Sequence, residues 1–574
     1  MRKIWSAFKR FVFPPAGSPL WVRILPFAVA GVLIFGVIYG SVEAWTYTNS
    51  SEFCGTTCHT MPPQFSAYLQ SPHARVQCVE CHIGRDVFTT QFTRKAGDLR
   101  HVILTITQDY EFPIHTRNMR PARDSCERCH FPEKFSDDSL REIRNYNADG
   151  TDPELLYLIM KTGGGTEREG LGRGIHWHIE NEVYYLATDY LEQDIPYVRV
   201  VDHDGSVKEY YDITSDFTPD DVAGTTLQKM DCITCHNRIT HEIPNPTEAV
   251  DQALTKNLLP RSLPDIREQS VALLREPYPD SEAALANFVT LGTYYADRYP
   301  DIYAERQEEI QQAVVTLQDM YQQMVFPEQK IDWDTHPNNL GHKDFPGCFR
   351  CHDGNHLTGS EESIRLECNI CHSVPVIADN QSLVTKIELV RGPEPPSHTH
   401  TSWITLHGGV IDSSCAACHE PADPAVDYTE LEGPPPNDNS FCGNSSCHSN
   451  EWVFAGFDAP ELQPVLARQQ YILLNTSPYL LEGVPRTYEE TFKAMFEGRC
   501  VFCHSGNLAE ADLDLSSYDG LMAGGQNGPV VIPGDPDASL IISRQSGPAE
   551  HFGQVLEDEL NALREWVENG APEG

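Results

Sequence analysis

Along most of the chain, short apolar runs alternate with polar stretches rich in proline and glycine. One segment departs from that pattern: Ile24 to Val42 is a run of 19 uncharged, mostly apolar residues. As a helix it would span roughly 28 Å, close to the hydrocarbon core of a bilayer. Arg2, Lys3, Lys9, Arg10 and Arg23 precede it with no acidic residue among them, which puts the N-terminal side in the cytoplasm by the positive-inside rule. The run is longer than the apolar core of a secretory signal and lacks a clear small-residue cleavage site. It therefore reads as a retained transmembrane helix within residues 1–45.

Further along, Glu182 to Ala187 and Pro196 to Val201 read as strands. Asp202-His203-Asp204-Gly205 is a turn signal, with His203 solvated at its tip, and it leads into another strand over Val207 to Ile213. These predict a small β insertion at about 137–230. The glycine-rich run Thr162 to Gly174 lacks the G-K-[ST] ending of a phosphate loop and reads as a flexible turn. Asn245-Pro246-Thr247-Glu248 opens a helix with a cap, a proline at the first turn and an acid behind it. Leu285, Phe288, Val289 and Tyr295, then Ile310, Ala313, Val314, Leu317 and Met324, recur at helical spacing. Residues 245–330 are thus expected to form a helical scaffold. Pro434-Pro435-Pro436-Asn437-Asp438 marks a linker. Tyr488 to Cys500 and Leu556 to Asn569, the latter with Leu560, Leu563 and Val567 on one face, predict two helices of a module over 479–574.

Composition narrows the function. At roughly 150 residues per domain, 574 residues suggest about three or four domains. Lys and Arg number 42 against 83 Asp and Glu, a net charge of −41, which excludes a nucleic-acid binder working through a general basic surface. A mean hydropathy of −0.39 excludes a polytopic membrane protein. With 40% hydrophobic and 22% charged residues the chain is not disordered. Setting aside the five basic residues before the apolar run and Glu43, 37 basic and 82 acidic residues remain, a net charge of −45 after Trp45.

All 18 cysteines fall in nine close pairs, each followed at once by histidine. Seven have the spacing C-x-x-C-H: Cys78/Cys81/His82, Cys126/Cys129/His130, Cys232/Cys235/His236, Cys348/Cys351/His352, Cys368/Cys371/His372, Cys415/Cys418/His419 and Cys500/Cys503/His504. Two are stretched: Cys54/Cys58/His59 by one residue and Cys442/Cys447/His448 by two. C-x-x-C-H is the attachment signature of c-type haem, in which two thiols form thioethers and the adjacent imidazole ligates iron. Zinc sites would need cysteine pairs converging in fours and require no histidine at the next position. Disulfides require none either, and a C-x-x-C disulfide is usually a redox motif. The pattern thus predicts nine covalently attached haems c. Haem c is attached outside the cytoplasm, so the chain beyond the anchor is expected on the periplasmic side of the inner membrane, touching lipid through one helix.

Thr48-Asn49-Ser50-Ser51-Glu52-Phe53-Cys54, Cys58-His59-Thr60-Met61, Ser71-Pro72-His73 and Cys78-Val79-Glu80-Cys81-His82-Ile83 together resemble the NapC/NirT family of membrane-anchored multihaem cytochromes c. The likeness resumes at Cys232-Ile233-Thr234-Cys235-His236-Asn237-Arg238-Ile239-Thr240-His241, and Phe345-Pro346-Gly347-Cys348 to His352-Asp353-Gly354-Asn355-His356 resembles a block of larger members. The resemblance implies a multihaem cytochrome c fold, mainly α and loop-rich, with haem-stacked modules. It also implies oxidation of quinol, menaquinol being the expected one, and delivery of electrons to an extracytoplasmic redox protein or reductase. It implies that Met61 competes with His59 for the first haem, that His73 serves the fourth haem and that His241 serves the third. Lys95 would line the quinol pocket. The family's acid over the first haem is displaced here: Asp98 comes early and His101 occupies its region, where it could make that haem six-coordinate. The matching region extends to a tetrahaem domain over 46–244, followed by a trihaem module over 331–432, a module with the long-spacer motif over 433–478 and a monohaem cytochrome c-like domain over 479–574.

Beyond the resemblance, distal ligands must come from the 14 histidines outside the motifs. His176 and His178, two residues apart on an extended segment, would face the same way, and one is a candidate for the second haem. His336, His342, His356, His398, His400 and His407 surround three haems. In the last module His551 is favoured over Met522; bis-histidine ligation lowers the potential relative to Met/His. Six-coordinate haems move electrons rather than bind substrates, so the chain reads as a quinol-fed electron conduit. An alternative is an electron-relay subunit of a larger membrane complex. A terminal reductase would need an open iron position, which such enzymes sometimes mark with C-x-x-C-K, and none occurs.

Overall fold

The computed structural model describes residues 2–84, 88–110, 112–116, 120–131, 138–151, 153–163, 174–202, 204–373, 375–378, 400–410, 452–501, 503–505, 510–547, 551 and 554–574. Helices account for about 47% of it, with two small sheets, so the chain is mainly α and loop-rich. The described residues fall into two compact units, one of 1–129 with 238–336 and one of 130–237 with 337–574.

In the first unit the apolar run lies within a helix over Leu20–Thr48, 29 residues with Pro26 inside and its apolar side chains exposed. At 1.5 Å per residue it is about 43 Å long, more than a hydrocarbon core requires, so its last turns stand clear of the apolar layer. A short helix, Arg2–Val12, precedes it. Ile4, Trp5, Phe8 and Phe11 are exposed and recur at helical spacing, while Lys9 and Arg10 supply charge, the composition of a helix that lies in a membrane interface.

The helical region folds as Pro246–Thr255, Ile266–Arg275, Ser281–Phe288, Thr290–Arg298, Pro300–Glu305 and Gln307–Met324. Asn245 caps the first helix by accepting from Glu248 N–H at 3.0 Å. Ile310, Ala313, Val314, Leu317 and Met324 are all buried, as their spacing predicts. Leu285 to Tyr295 does not form one helix: the chain breaks at Val289, which is exposed, between two short helices.

The second unit contains both sheets. Strands β1 (Ser139–Asn145), β2 (Glu154–Met160) and β8 (Val376–Ala378) form one, in the order β1-β2-β8. Strands β3 (Glu182–Leu186), β4 (Tyr197–Val201), β5 (Val207–Asp212), β6 (Gln228–Lys229) and β7 (His356–Leu357) form the other, in the order β6-β3-β4-β5-β7. The β3-β4-β5 meander matches the pattern read from the sequence. Its short edge strands were not legible there, and they connect the insertion to the cysteine motifs. β6 leads directly into Cys232, β7 follows His352, and β8 follows His372. β2 also holds the sixth motif itself, through Lys161 N–H to Cys371 O at 2.8 Å and Ser373 N–H to Ile159 O at 2.8 Å.

The last module has its own core. Phe492, Phe496, Leu521, Leu563, Trp566 and Val567 are fully buried together. Tyr488–Phe492 is a π-helical turn running into a helix over Lys493–Arg499, and Glu557–Glu568 closes the module.

Candidate haem centres

The 14 described cysteines are all free, and among the described residues no three or more His, Cys, Asp or Glu side chains converge as a metal cluster. The local geometry of the motifs repeats. Cys78–His82 and Cys232–Cys235 are helical turns, and Cys348 and Cys368 begin or lie within 3-10 turns. In the C-x-x-C-H turns the histidine N–H returns to the first cysteine's carbonyl: His236 to Cys232 at 2.8 Å, His352 to Cys348 at 3.0 Å and His504 to Cys500 at 3.0 Å. Such a turn puts both thiols and the imidazole on one side. Gly347, just before Cys348, has φ +50, and a Cβ there would meet the Gly341 carbonyl oxygen at 1.8 Å, so glycine is required for this turn.

The non-motif histidines supply the fit test for haem. Two imidazole nitrogens bound to one metal at about 2 Å each set their ring centroids about 6 Å apart. His82 and His241 are 6.3 Å apart, His178 and His352 5.8 Å, His342 and His372 6.5 Å, and His504 and His551 6.2 Å. Several rings are oriented by a backbone carbonyl at Nδ1, which leaves Nε2 for a metal. His241 bonds Gln64 O at 3.1 Å, His178 bonds Ile175 O at 2.8 Å, His372 bonds Ser373 O at 2.6 Å and His504 bonds Glu510 O at 3.1 Å. Burial pulls the pKa of His241 down to about 4, with Arg238 and His82 adding to it. Burial does the same to His352, also to about 4, followed by His178. Both are therefore neutral at pH 7, the form that can ligate iron. The residues present fit haem.

Placement departs from the sequence reading at several histidines. His241, expected at the third motif, lies beside His82 of the second. His176 and His178 are not on an extended segment: a helical turn over Trp177–Glu180 starts there, and the two rings diverge. His178 faces His352 of the fifth motif, whereas His176 lies within electrostatic reach of His236 of the fourth. Neither stands at the second motif. His356, expected as a ligand, has both ring nitrogens engaged, Nδ1 with Asp353 Oδ1 at 2.8 Å and Nε2 with Ile195 O at 2.7 Å. Burial lowers its pKa, but the carboxylate and the carbonyl outweigh this and leave it raised; both partners are acceptors, so neither nitrogen is left for iron. His400 Nδ1 accepts the Ser402 N–H at 3.1 Å, leaving its proton on Nε2. His407 has the opposite tautomer, Nδ1 donating to Ile404 O, with its ring flat on Trp403 at 4.7 Å. Met522 packs against the core of the last module, and His551 faces His504.

At the first motif His59 is exposed, with Nε2 2.9 Å from the Tyr110 hydroxyl. Met61 begins the helix Pro62–Gln70, and His73 lies half-buried just after it. Gly55, inside the stretched spacer, lies so close to Phe65 that a Cβ would overlap its ring at 2.1 Å. Lys95, on the helix Phe88–Thr107, reaches the end of the membrane helix. Its Nζ donates to Thr48 O at 2.8 Å and contacts Thr48 Oγ1 at 2.9 Å, 4.8 Å from the Trp45 ring centroid. Asp98 and His101 share that helix, but their side chains lie outside the described residues. His130 is exposed. Cys415, Cys418, His419, Cys442, Cys447, His448, His203 and His398 also lie outside the described residues.

Neighbouring motifs approach one another. Cys54 hydrogen-bonds Cys78, and Cys81 is in electrostatic reach of Cys129. In the second unit His236 is within reach of His130, Cys235 of Cys348, and Cys371 of Cys348. Sequence reasoning missed the residues that bridge them. Phe349 and Arg350 are the two variable positions of the fifth motif: Phe349 stacks on His342, which faces His372 of the sixth motif, and Arg350 Nη2 donates to Thr234 O of the fourth at 2.9 Å. A variable position carries no signal in one sequence. His115 and His336 were also missed as a pair; their rings are 4.7 Å apart, too close to share an iron.

The family model of the NapC/NirT cytochrome c family, N-terminal region, matches residues 19–113, which span the membrane helix, the first two motifs and Lys95. Cytochrome c-type protein ImcH of Geobacter sulfurreducens is 38% identical over 420 residues, covering 72% of this chain and 80% of that protein. The chain belongs to the NapC/NirT family of membrane-anchored multihaem cytochromes c. Like other NapC/NirT cytochromes it carries covalently bound haem c and serves electron transfer from a single membrane-spanning helix. Cytochrome c-type protein NrfH of Wolinella succinogenes is 30% identical over 115 residues, 19% of this chain and 64% of that protein. A second model, Planctomycete cytochrome C, matches residues 500–547 within the last module. No solved structure matches the chain.

Proposed function

We propose that this cytochrome takes electrons from a quinol, menaquinol being the expected one, at the membrane face and passes them through nine haems to an extracytoplasmic redox protein. The observation that carries the reading is the repeated imidazole pairing, four pairs with centroids 5.8–6.5 Å apart. Each pair would hold one iron between its two imidazoles and leave no position open for a small substrate. When bound, haem c supplies a one-electron ferric/ferrous couple.

The chain's own residues then have separate tasks. His241 is assigned to the second motif, His176 to the fourth, His178 to the fifth, His342 to the sixth and His551 to the ninth. His59, Met61 and His101 compete at the first motif, and His73 is left for the first or the third. Lys95 holds a cation at the end of the membrane helix, clamped by Thr48 and Trp45, where a quinol oxygen would arrive. The acidic exterior favours an acceptor with a basic docking face, whose on-rate should fall with salt.

Intact mass and carbon monoxide binding test the reading together. Nine haem masses with negligible carbon monoxide binding to the ferrous protein are expected. A haem that binds carbon monoxide readily in the untreated protein would favour a terminal reductase instead.

A further inference from the structure

Arg350 is 7% exposed and sits between two haem-attachment motifs. Its Nε donates to Gly347 O at 2.9 Å, its Nη1 to Glu192 O at 2.7 Å and its Nη2 to Thr234 O at 2.9 Å. Gly347 flanks the fifth motif and Thr234 lies inside the fourth. Asn339 reinforces the same joint, donating from Nδ2 to Thr234 O at 3.0 Å and accepting from Gln193 Nε2 at 3.0 Å. All three partners of the guanidinium are backbone carbonyls, and among the described residues no carboxylate lies within ion-pair distance of it. Arginine does not deprotonate in proteins. A buried, fully charged group solvated only by carbonyl dipoles is costly in isolation.

The charge reaches the attachment cysteines of both motifs. Thr234, whose carbonyl the guanidinium binds, lies between Cys232 and Cys235, and Arg350 itself lies between Cys348 and Cys351.

We propose that Arg350 is a potential-setting residue, a buried cation that raises the reduction potentials of the haems on the fourth and fifth motifs together while its three carbonyl bonds fix their separation. This rests on the reading that both motifs hold haem. A fixed positive charge disfavours the ferric iron, the more positive of the two redox states, so it stabilises the reduced form. At an effective dielectric near 20, a nearby unit charge shifts a one-electron equilibrium by about tenfold or more. Because the two haems share one cation, their potentials rise together and the driving force between them is left as it was.

The test is potentiometric titration of the full-length protein, followed by absorbance and by electron paramagnetic resonance, with intact mass confirming haem content. Arg350→Gln and Arg350→Met should keep nine haems. In each, two of them should be about tenfold less reduced at a fixed potential, which for one electron is a fall of about 59 mV. Arg350→Lys retains the charge and should restore most of that shift. Unchanged potentials in a neutral variant with full haem content would overturn the inference. So would an Arg350→Lys protein whose two potentials fall as far as in the neutral variants, since a purely geometric clamp would behave that way. If neither neutral variant attaches haem, Arg350→Lys decides alone: two potentials close to those of the unaltered protein support the inference, and a fall of about 59 mV or more overturns it. Missing haem at these motifs in the unaltered protein would instead count against the haem reading itself.

Discussion

Phe349 lies flat against His342, with ring centroids 4.5 Å apart and planes 3° from parallel. The aromatic side chain belongs to the fifth motif, and the imidazole faces His372 of the sixth. Trp452 approaches the same imidazole at 5.5 Å. A residue of one motif thus orients the imidazole proposed as the ligand of the next. Phe349→Ala removes an aromatic contact of about 1 kcal/mol and frees the His342 ring. Haem content should stay constant, because thioethers hold the cofactor, while a fraction of one haem becomes high-spin and binds carbon monoxide. An unchanged low-spin spectrum would show that Phe349 does not orient the ligand.

His176 and His178 should be separable although they are two residues apart. His178→Ala is expected to open one haem and His176→Ala another, each visible as one equivalent of carbon monoxide bound. The double variant should bind two. If both single variants open the same haem, the divergence of the two rings on their helical turn has no functional meaning.

His356 should behave as a structural cation. His356→Gln is expected to open no haem. Its folded pKa lies above that of the unfolded chain, so its contribution to stability is full below about pH 6.5 and is lost as pH rises through the folded value. The difference in Tm between the parent protein and the variant should therefore be largest in mild acid and shrink towards alkaline pH. A difference that grows with pH would reverse the assignment.

Glu559 is fully buried and pairs with Arg499, whose Nη2 donates to its Oε1 at 3.0 Å; Ser477 Oγ adds a bond at 2.7 Å. Removing one partner of a buried pair costs about 3–5 kcal/mol. Glu559→Ala should lower the Tm of the last module by several degrees, with the earlier haems unaffected in their spectra. Loss of signal from every haem at once would mean that the module does not melt by itself.

Much of this architecture is local and could be read from the sequence. The membrane helix shows as 19 uncharged residues, and each haem turn is complete within five to seven residues. The β3-β4-β5 meander announces itself through alternation and the Asp-Gly turn. What could not be read depends on long-range approach. His178 meets His352 across 174 positions, and His241 is fixed by the carbonyl of Gln64. The edge strands β6, β7 and β8 have two or three residues each, too few for any periodicity. His356 misled for a physical reason: its spacing after the fifth motif suits a ligand, and only the carbonyl of Ile195, arriving from another strand connection, shows both nitrogens to be taken. The helix Arg2–Val12 was legible from Ile4, Trp5, Phe8 and Phe11, but its basic residues drew attention to topology alone.

The most direct test is anaerobic rapid mixing of the detergent-solubilised protein with a menaquinol analogue, following haem absorbance with and without a quinol-site inhibitor. Fast, inhibitor-sensitive reduction of most haems is predicted, slowed in Lys95→Met while dithionite still reduces all of them. Normal reduction by dithionite with none by quinol would contradict the account and leave a relay that a partner subunit must load.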